Sequence, residues 1–175
     1  MGGPAVGRAT GTHGGGERAG ARPGAYDRPV ALFRLERTAP LPPEEVWRRL
    51  TLWSRHGDVV PLTRVVVETP PPTGRGTVFV ARTVLGPLRV DDRMEVTVWR
   101  PPAGDAPGLC RLEKRGRVVL GWAEIEVAPR PGGRTRVRWT EDIGVRLVPA
   151  FFDPVLRGAG RWVFGRAADR LLRTP

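Results

Sequence analysis

Residues 42–63 read PPEEVWRRLTLWSRHGDVVPLT. Pro43 suits the first position of a helix, and the two glutamates after it place carboxylates in the first turn, where they interact favourably with the helix dipole. Apolar residues then recur at the helical spacing i, i+4 and i+7: Val46, Leu50 and Trp53. The stretch predicts a short amphipathic helix over residues 44–53 and a second helical turn over residues 54–60, which Pro61 ends.

One strand is predicted before this stretch and six strands after it. Residues 30–38 alternate as a strand does, and prolines then stop the pattern. From residue 62 onward the apolar period is two, and turns rich in proline or glycine separate the segments. The later strands are predicted over residues 63–68, 77–85, 88–99, 109–114, 117–127 and 135–147. Because the connections are short, we expect consecutive antiparallel pairing.

Residues 149–173 return to helical spacing and predict a long terminal helix. Its apolar stripe contains Phe152, Val155, Leu156, Ala159, Val163, Ala167 and Leu171. Gly158, Gly160 and Gly165 lower its intrinsic helicity but permit close approach to a neighbouring element. An antiparallel sheet must cover its apolar face, and this helix is the available cover. A curved sheet around one helix leaves a concave apolar space, which is where ligands commonly bind.

This order of elements, together with the motif Pro-x-Glu-x-Val-Trp at residues 42–47, resembles the helix-grip or SRPBCC superfamily. That group includes START-type lipid-transfer domains, pollen-allergen-like proteins and polyketide cyclases. The resemblance is closest to the actinobacterial polyketide cyclase/dehydrase-like branch and extends over about residues 30–173. It implies an α+β helix-grip fold: a curved antiparallel sheet of about seven strands around a long C-terminal helix, with two short helices after strand 1. It also implies a ligand cavity between sheet and helix, but no single reaction.

Two carboxylates fall on the apolar alternation of predicted strands. Asp92 shares a face with Val90 and Met94, and Glu141 shares one with Trp139. Strict alternation turns both carboxylates inward, where an unpaired charge is costly. Two interpretations are open: the carboxylates line the cavity and bind or react with a ligand, or they lie at a wet rim or pair with an arginine such as Arg82. By the same alternation, Trp99 and Trp122 face outward unless a bulge shifts the register.

His56 follows the first helix and is a candidate for a general base, with Asp58 near enough in sequence to orient it. A solvent-exposed loop histidine is the simpler interpretation of His56. Ser54 is the only serine, so no Ser/His/Asp set is evident. Histidine, cysteine and carboxylates show no recognised metal-ligand spacing, and the glycines of residues 158–165 lie in a predicted helix rather than a nucleotide-binding loop. We therefore predict no metal and no cofactor.

The chain of 175 residues carries 29 Lys and Arg against 18 Asp and Glu, a net charge of +11. Lys114 is the only lysine, and this bias toward arginine is typical of a GC-rich genome. The positive charge suggests an anionic partner, although the arginines are dispersed and no nucleic-acid-binding motif is present. The single cysteine, Cys110, excludes an intrachain disulfide framework.

Residues 1–28 are rich in glycine and arginine and predict a flexible tail before a single domain over residues 29–175. The tail lacks the apolar core of a signal peptide, and the rest of the chain lacks an apolar run of about 20 residues. We therefore expect a cytoplasmic protein without a membrane span.

The leading hypothesis is binding of a small hydrophobic, polyketide-like or lipid-like molecule, either for transport or for cyclase/dehydrase chemistry such as enolisation or dehydration. The predicted ligand-binding residues are Arg82, Val90, Asp92, Met94, Ile125, Trp139, Glu141, Phe152 and Val163. Asp92, Glu141 and His56 are the catalytic candidates. The alternatives are a nucleic-acid-binding module, which rests on charge alone and is disfavoured, and a protein-interaction module that uses the outer face of the sheet.

Overall fold

The structure is a computed structural model, and it describes residues 31–146 and 148–173. Its strands are β1 (Ala31–Ala39), β2 (Thr63–Val67), β3 (Val78–Leu85), β4 (Leu88–Arg100), β5 (Gly108–Lys114), β6 (Val119–Arg130) and β7 (Arg134–Val145). Its helices are α1 (Pro43–Thr51), α2 (His56–Val59) and α3 (Asp153–Leu172), and short 3-10 turns at Trp53–Arg55 and Ala150–Phe152 precede α2 and α3. The predicted tail of residues 1–28 lies outside the described residues.

The strands form one antiparallel sheet in the order β1-β7-β6-β5-β4-β3-β2. The segment that contains α1 and α2 joins β1 to β2, which lie at the two opposite edges of the sheet. Helix α3 packs against β1, α1 and α2. The predicted helix-grip architecture, with seven strands, two short helices after strand 1 and a C-terminal helix, is therefore confirmed for the described residues.

A bulge in β4 changes which side chains face the core. The pairing of β4 with β5 shifts between Val96 and Val98. The extra residue turns Trp99 inward, where its ring meets that of Trp47 in an edge-to-face contact with centroids 5.0 Å apart. Simple alternation turns Trp99 outward, but this bulge is the register shift that reverses the alternation after residue 97. Trp122 does lie on the outer face, under the guanidinium of Arg111.

Strand β6 approaches β7 too closely at one point for any side chain. Gly121 has a φ of +120°, and a Cβ atom there would lie 2.0 Å from the carbonyl oxygen of Asp142. Only glycine can occupy this position without moving the neighbouring strand. Gly121 and the next inward residue, Ala123, therefore occupy little space on the inner face of β6.

Helix α3 is buried mainly along its C-terminal half. Ala167, Ala168 and Leu171 are almost fully buried, whereas Val155 and Trp162 are largely exposed. The predicted apolar stripe is therefore covered only in part, because β1, α1 and α2 pack against the later turns of the helix. The helix lies close to β1 at Gly160, where an added Cβ would lie 2.8 Å from Cε1 of Phe33.

Two glycines of α3 should respond in opposite ways to the same substitution. At Gly158 an added Cβ meets no atom within 4 Å, so Gly158→Ala should raise the free energy of unfolding by about 1 kcal/mol through helix propensity. Gly160→Ala gains the same propensity but must displace the buried ring of Phe33, so it should lower the free energy of unfolding by about 1 kcal/mol or more. Urea denaturation of both variants measures the difference. Equal effects would contradict the close contact between α3 and β1.

Candidate functional site

A cavity of about 180 Å³ lies between the inner face of the sheet, the segment around α2 and helix α3. Every strand from β2 to β7 contributes to its wall, and α3 contributes Phe164. The apolar lining consists of Trp53, Val60, Val65, Phe79, Ala81, Val90, Met94, Leu112, Val119, Ala123, Trp139 and Phe164. The polar lining consists of His56, Thr63, Thr83, Asp92, Lys114 and Glu141.

Aromatic rings form a continuous layer on one side of the cavity. Trp53 stacks on Phe79 with ring centroids 4.6 Å apart, and Trp139 lies 5.6 Å from Phe164. The ring of His56 lies between the two pairs, 5.5 Å from Trp53 and 5.9 Å from Trp139. Such a wall offers a large apolar contact area with defined ring geometry.

The charged part of the wall is one buried cluster, which we call the lysine cluster: Lys114, Asp92 and Glu141. The Lys114 ammonium donates to Asp92 Oδ2 at 2.6 Å and lies 3.1 Å from Glu141 Oε1. The Nε1 group of Trp139 donates to the other oxygen of Glu141 at 3.2 Å. The side chains of Lys114 and Glu141 are 1% and 2% exposed, so this ion pair is almost fully removed from water.

The strand order explains how the lysine cluster assembles. Lys114 ends β5 and is paired with Met94, while Glu141 lies on β7, with β6 between them. Ala123 and Gly121 are the inward residues of β6 at this level. Because these residues are small, the lysine side chain can cross β6 and reach the carboxylate on β7.

The pKa values of the lysine cluster shift in ways that follow from burial and pairing. Burial alone would lower the pKa of Lys114, but the neighbouring Glu141 and Asp92 carboxylates outweigh it and raise that pKa above its usual value. Burial raises the pKa of Glu141, against the opposing effect of Lys114. Lys114 is therefore a permanently charged ammonium at neutral pH, and Glu141 is the carboxyl that protonates more readily than usual.

His56 lies in the wall rather than in a solvated loop. Its Nε2 group donates to the carbonyl oxygen of Leu50 at 2.8 Å, and burial lowers its pKa below the usual 6.5 despite that bond. The expected orienting role of Asp58 is wrong, because Asp58 is exposed and the Leu50 carbonyl takes its place. His56 is consequently a neutral ring at neutral pH.

The structure brings six of the predicted site residues together in the lining: His56, Val90, Asp92, Met94, Trp139 and Glu141. Arg82 does not reach them, since it lies on the outer face and forms an exposed pair with Asp91 at 2.7 Å. Ile125 faces inward but is fully buried in the core, on the part of β6 that α1 covers. Phe152 is 44% exposed, and Val163 lies outside the lining, because only Phe164 of α3 points into the cavity.

Among the charged residues of the lining, Lys114 is the one that the sequence analysis missed. The signal was available, because Cys110, Leu112 and Lys114 share one alternation of the predicted strand at residues 109–114. The lone lysine of an arginine-rich chain therefore stands on an otherwise apolar face. The strand pattern could not identify the carboxylates that pair with Lys114, because they lie on other strands and depend on how the sheet is assembled.

No group of three or more potential metal ligands occurs among residues 31–146 and 148–173. In the same part of the chain, no helix is long and apolar enough to cross a membrane.

The sequence matches the family model described as polyketide cyclase / dehydrase and lipid transport over residues 31–174. No curated protein matches the sequence significantly. Among solved structures, the human StarD13 lipid transfer and protein localization domain is similar, with a TM-score of 0.65 and 12% identity, covering 82% of this chain and 78% of that one. A START superfamily protein from Mycobacterium smegmatis has a TM-score of 0.62 and 13% identity, covering 81% and 96%.

An enzyme shares the same fold. Norcoclaurine synthase from Thalictrum flavum, solved in complex with dopamine and hydroxybenzaldehyde, has a TM-score of 0.55 and 14% identity and covers 83% of this chain and 90% of that one. At these identities the likeness to the solved structures concerns the fold alone.

Removing the ammonium should expose how much the lysine cluster stabilises the fold. Lys114→Met leaves two buried carboxylates without their counter-charge and should lower the free energy of unfolding by about 3–5 kcal/mol. Arg82→Met breaks an exposed, solvent-screened pair instead and should cost far less than Lys114→Met. Urea denaturation at pH 7 compares the two variants. Similar costs would mean that the cluster is not desolvated as described.

The stability of the protein should depend on His56 at mildly acidic pH. The unfolded chain binds a proton at this histidine near pH 6.5, whereas the folded protein binds it only at lower pH. The unfolded state therefore holds more protons in that window, and folding stability falls as the pH falls from about 7. In thermal unfolding between pH 7.5 and 5, the stability difference between wild type and His56→Gln should shrink on the acid side. Parallel pH profiles would contradict the buried neutral ring.

Proposed function

The chain belongs to the family of polyketide cyclases, dehydrases and lipid transport proteins, and from this membership we propose that it binds a small hydrophobic molecule of polyketide or lipid type in the cavity between the sheet and α3. The family as a whole supports hydrophobic ligand binding. The particular cavity, the ligand and any reaction are our proposals.

The observation that carries the proposal is an aromatic cavity that contains one compact charged cluster. Ligand sites are typically apolar concavities with a few converging polar groups, and this cavity has that composition. Its volume of about 180 Å³ exceeds the roughly 150 Å³ in which an apolar cavity holds benzene. The volume suits a ligand of one or two rings, or the end of a longer one.

A catalytic version of this function is supported by the groups around the cavity. Neutral His56 and the Asp92 carboxylate are candidate bases for a proton on the carbon next to a ligand carbonyl. Once Asp92 has taken a proton it no longer neutralises Lys114, and the ammonium would then stabilise the negative charge that develops on the carbonyl oxygen. The proton would pass from that carbon to the base as the enolate forms. Asp92→Asn would separate the two versions, since loss of turnover with retained binding indicates catalysis.

The outer face of the sheet offers little support for nucleic-acid binding. Ligand binding in the cavity is therefore the better-supported function. Several arginines on the outer face are paired with carboxylates, which reduces the positive charge available to phosphates. The ion pairs on this face include Arg93–Glu68, Arg115–Glu95, Arg111–Glu113, Arg111–Glu124 and Arg136–Glu126.

Filling the cavity should weaken binding without changing the outer surface. Ala81 lines the cavity on β3, whereas its neighbour Val80 lies on the opposite face of the same strand. In amide correlation spectra titrated with ethylbenzene, the wild type and Val80→Phe should show saturable shifts at cavity residues. Ala81→Phe should bind at least about tenfold more weakly.

Two results would count against the proposal. One is the absence of cavity shifts in the wild type, and the other is equal binding by Ala81→Phe and Val80→Phe. Thermal unfolding of both variants checks that each is folded. Mass spectrometry of molecules that co-purify with the wild type would then identify the natural ligand.

A further inference from the structure

We propose that the cavity prefers a ligand whose buried end carries a hydrogen-bond donor, either a hydroxyl or an ammonium group, and that it rejects carboxylates. This inference rests on the proposed function, because it concerns the same cavity. It follows from the charges of the lining and from the hydrogen bonds of the lysine cluster.

The cavity lining carries more acidic than basic groups, whereas the chain as a whole carries more basic than acidic ones. Among the residues that the structure describes, no arginine lines the cavity, although the chain carries a net charge of +11. Since His56 is neutral, the charged lining residues are Asp92, Glu141 and Lys114, two acids against one base. An anionic ligand would thus enter an apolar space that already contains more acidic than basic groups, where like charges repel strongly.

The lysine offers no free donor to a carboxylate. Its three N–H bonds have three acceptors within the protein: Asp92 Oδ2 at 2.6 Å, Glu141 Oε1 at 3.1 Å and the weakly accepting Sδ atom of Met94 at 3.9 Å. A ligand carboxylate would have to displace one of the carboxylates that keep the buried ammonium neutralised. Such a displacement exchanges one charged partner for another and leaves the first unpaired.

One acceptor of the cluster is left over. Glu141 uses both oxygens, one beside Lys114 and one for the Nε1 group of Trp139. Asp92 uses only Oδ2, while its Oδ1 atom is buried and has no hydrogen-bond partner among the described residues. A buried acceptor without a donor is costly, and a donor on the ligand would remove that cost with a charge-assisted bond.

A second buried polar atom in the same lining supports a polar ligand. The Nε1 group of Trp53 is buried without a partner among the described residues, and Trp53 as a whole is 2% exposed. It is a donor, so it requires an acceptor. A ligand that bears a hydroxyl can supply the donor for Asp92, and an oxygen atom elsewhere on the ligand can supply the acceptor for Trp53.

A ligand series with one apolar body tests the preference. The probes are ethylbenzene, 4-ethylphenol, 4-ethylbenzylamine and 4-ethylbenzoate, titrated into the full chain at pH 7 and followed by amide shifts at the cavity. We expect 4-ethylphenol or 4-ethylbenzylamine to bind at least about tenfold more tightly than ethylbenzene, and 4-ethylbenzoate to bind more weakly than ethylbenzene. The order of the phenol and the amine tells whether the donor itself or its charge is selected.

A matched pair of variants assigns the preference to Asp92. Asp92→Asn should reduce the preference for 4-ethylphenol over ethylbenzene by at least about fivefold. Asp91→Asn, which alters the adjacent residue on the outer face, should leave the preference unchanged. If Asp92→Asn does not fold, the wild-type series still decides the question.

The failure of this inference differs from the failure of the proposed function. If ethylbenzene binds in the cavity and all four probes bind equally, or the benzoate binds best, the donor preference is wrong while hydrophobic binding stands. If no probe binds in the cavity, the proposed function itself fails.

Discussion

The buried ammonium of Lys114 is the constraint around which the site is organised. An ammonium 1% exposed is tolerable only with close counter-charges, and it finds them on β4 and β7. This demand ties the register of three strands together, because a slip of one residue would turn a partner to the other face. It also requires small inward residues on the intervening β6, which Ala123 and Gly121 provide. The burial of the Lys114 ammonium thus accounts for the polar part of the cavity wall and for the small inward residues of β6 beside it.

The choice of lysine follows from the space available. A guanidinium presents five donors in a planar fork and would need acceptors for all of them inside an apolar cavity. An ammonium needs three, and the lysine cluster with Met94 supplies three. Arginines instead lie on the outer face of the sheet, where carboxylates pair with several of them. The excess of positive charge therefore lies on the outer surface, whereas the cavity lining contains more acidic than basic side chains.

The alternation of side chains along single strands predicted the direction of much of the site. It could not predict the effect of a strand bulge or which parts of the sheet the helices cover. It correctly turned Asp92 and Glu141 inward, since each lies on a regular part of its strand. The direction of Trp99 depended on whether β4 contains a bulge, and the bulge reverses the faces after it. The alternation placed Ile125 inward but could not tell core from cavity, which depends on where α1 covers β6. On α3 the apolar stripe overstated burial, because the first turns extend beyond the elements that cover the rest.

The sequence by itself determined the order of the elements, the antiparallel sheet, the closing helix and the inward direction of the two carboxylates, since these depend on local periodicity and short connections. Only the tertiary structure decided their partners. It paired Lys114 with Asp92 and Glu141 inside the cavity, and Arg82 with Asp91 on the outer face. It also placed the ring of His56 beside the rings of Trp53 and Trp139. The physical reason is that pairing energies depend on distances across strands and layers, which no single strand encodes.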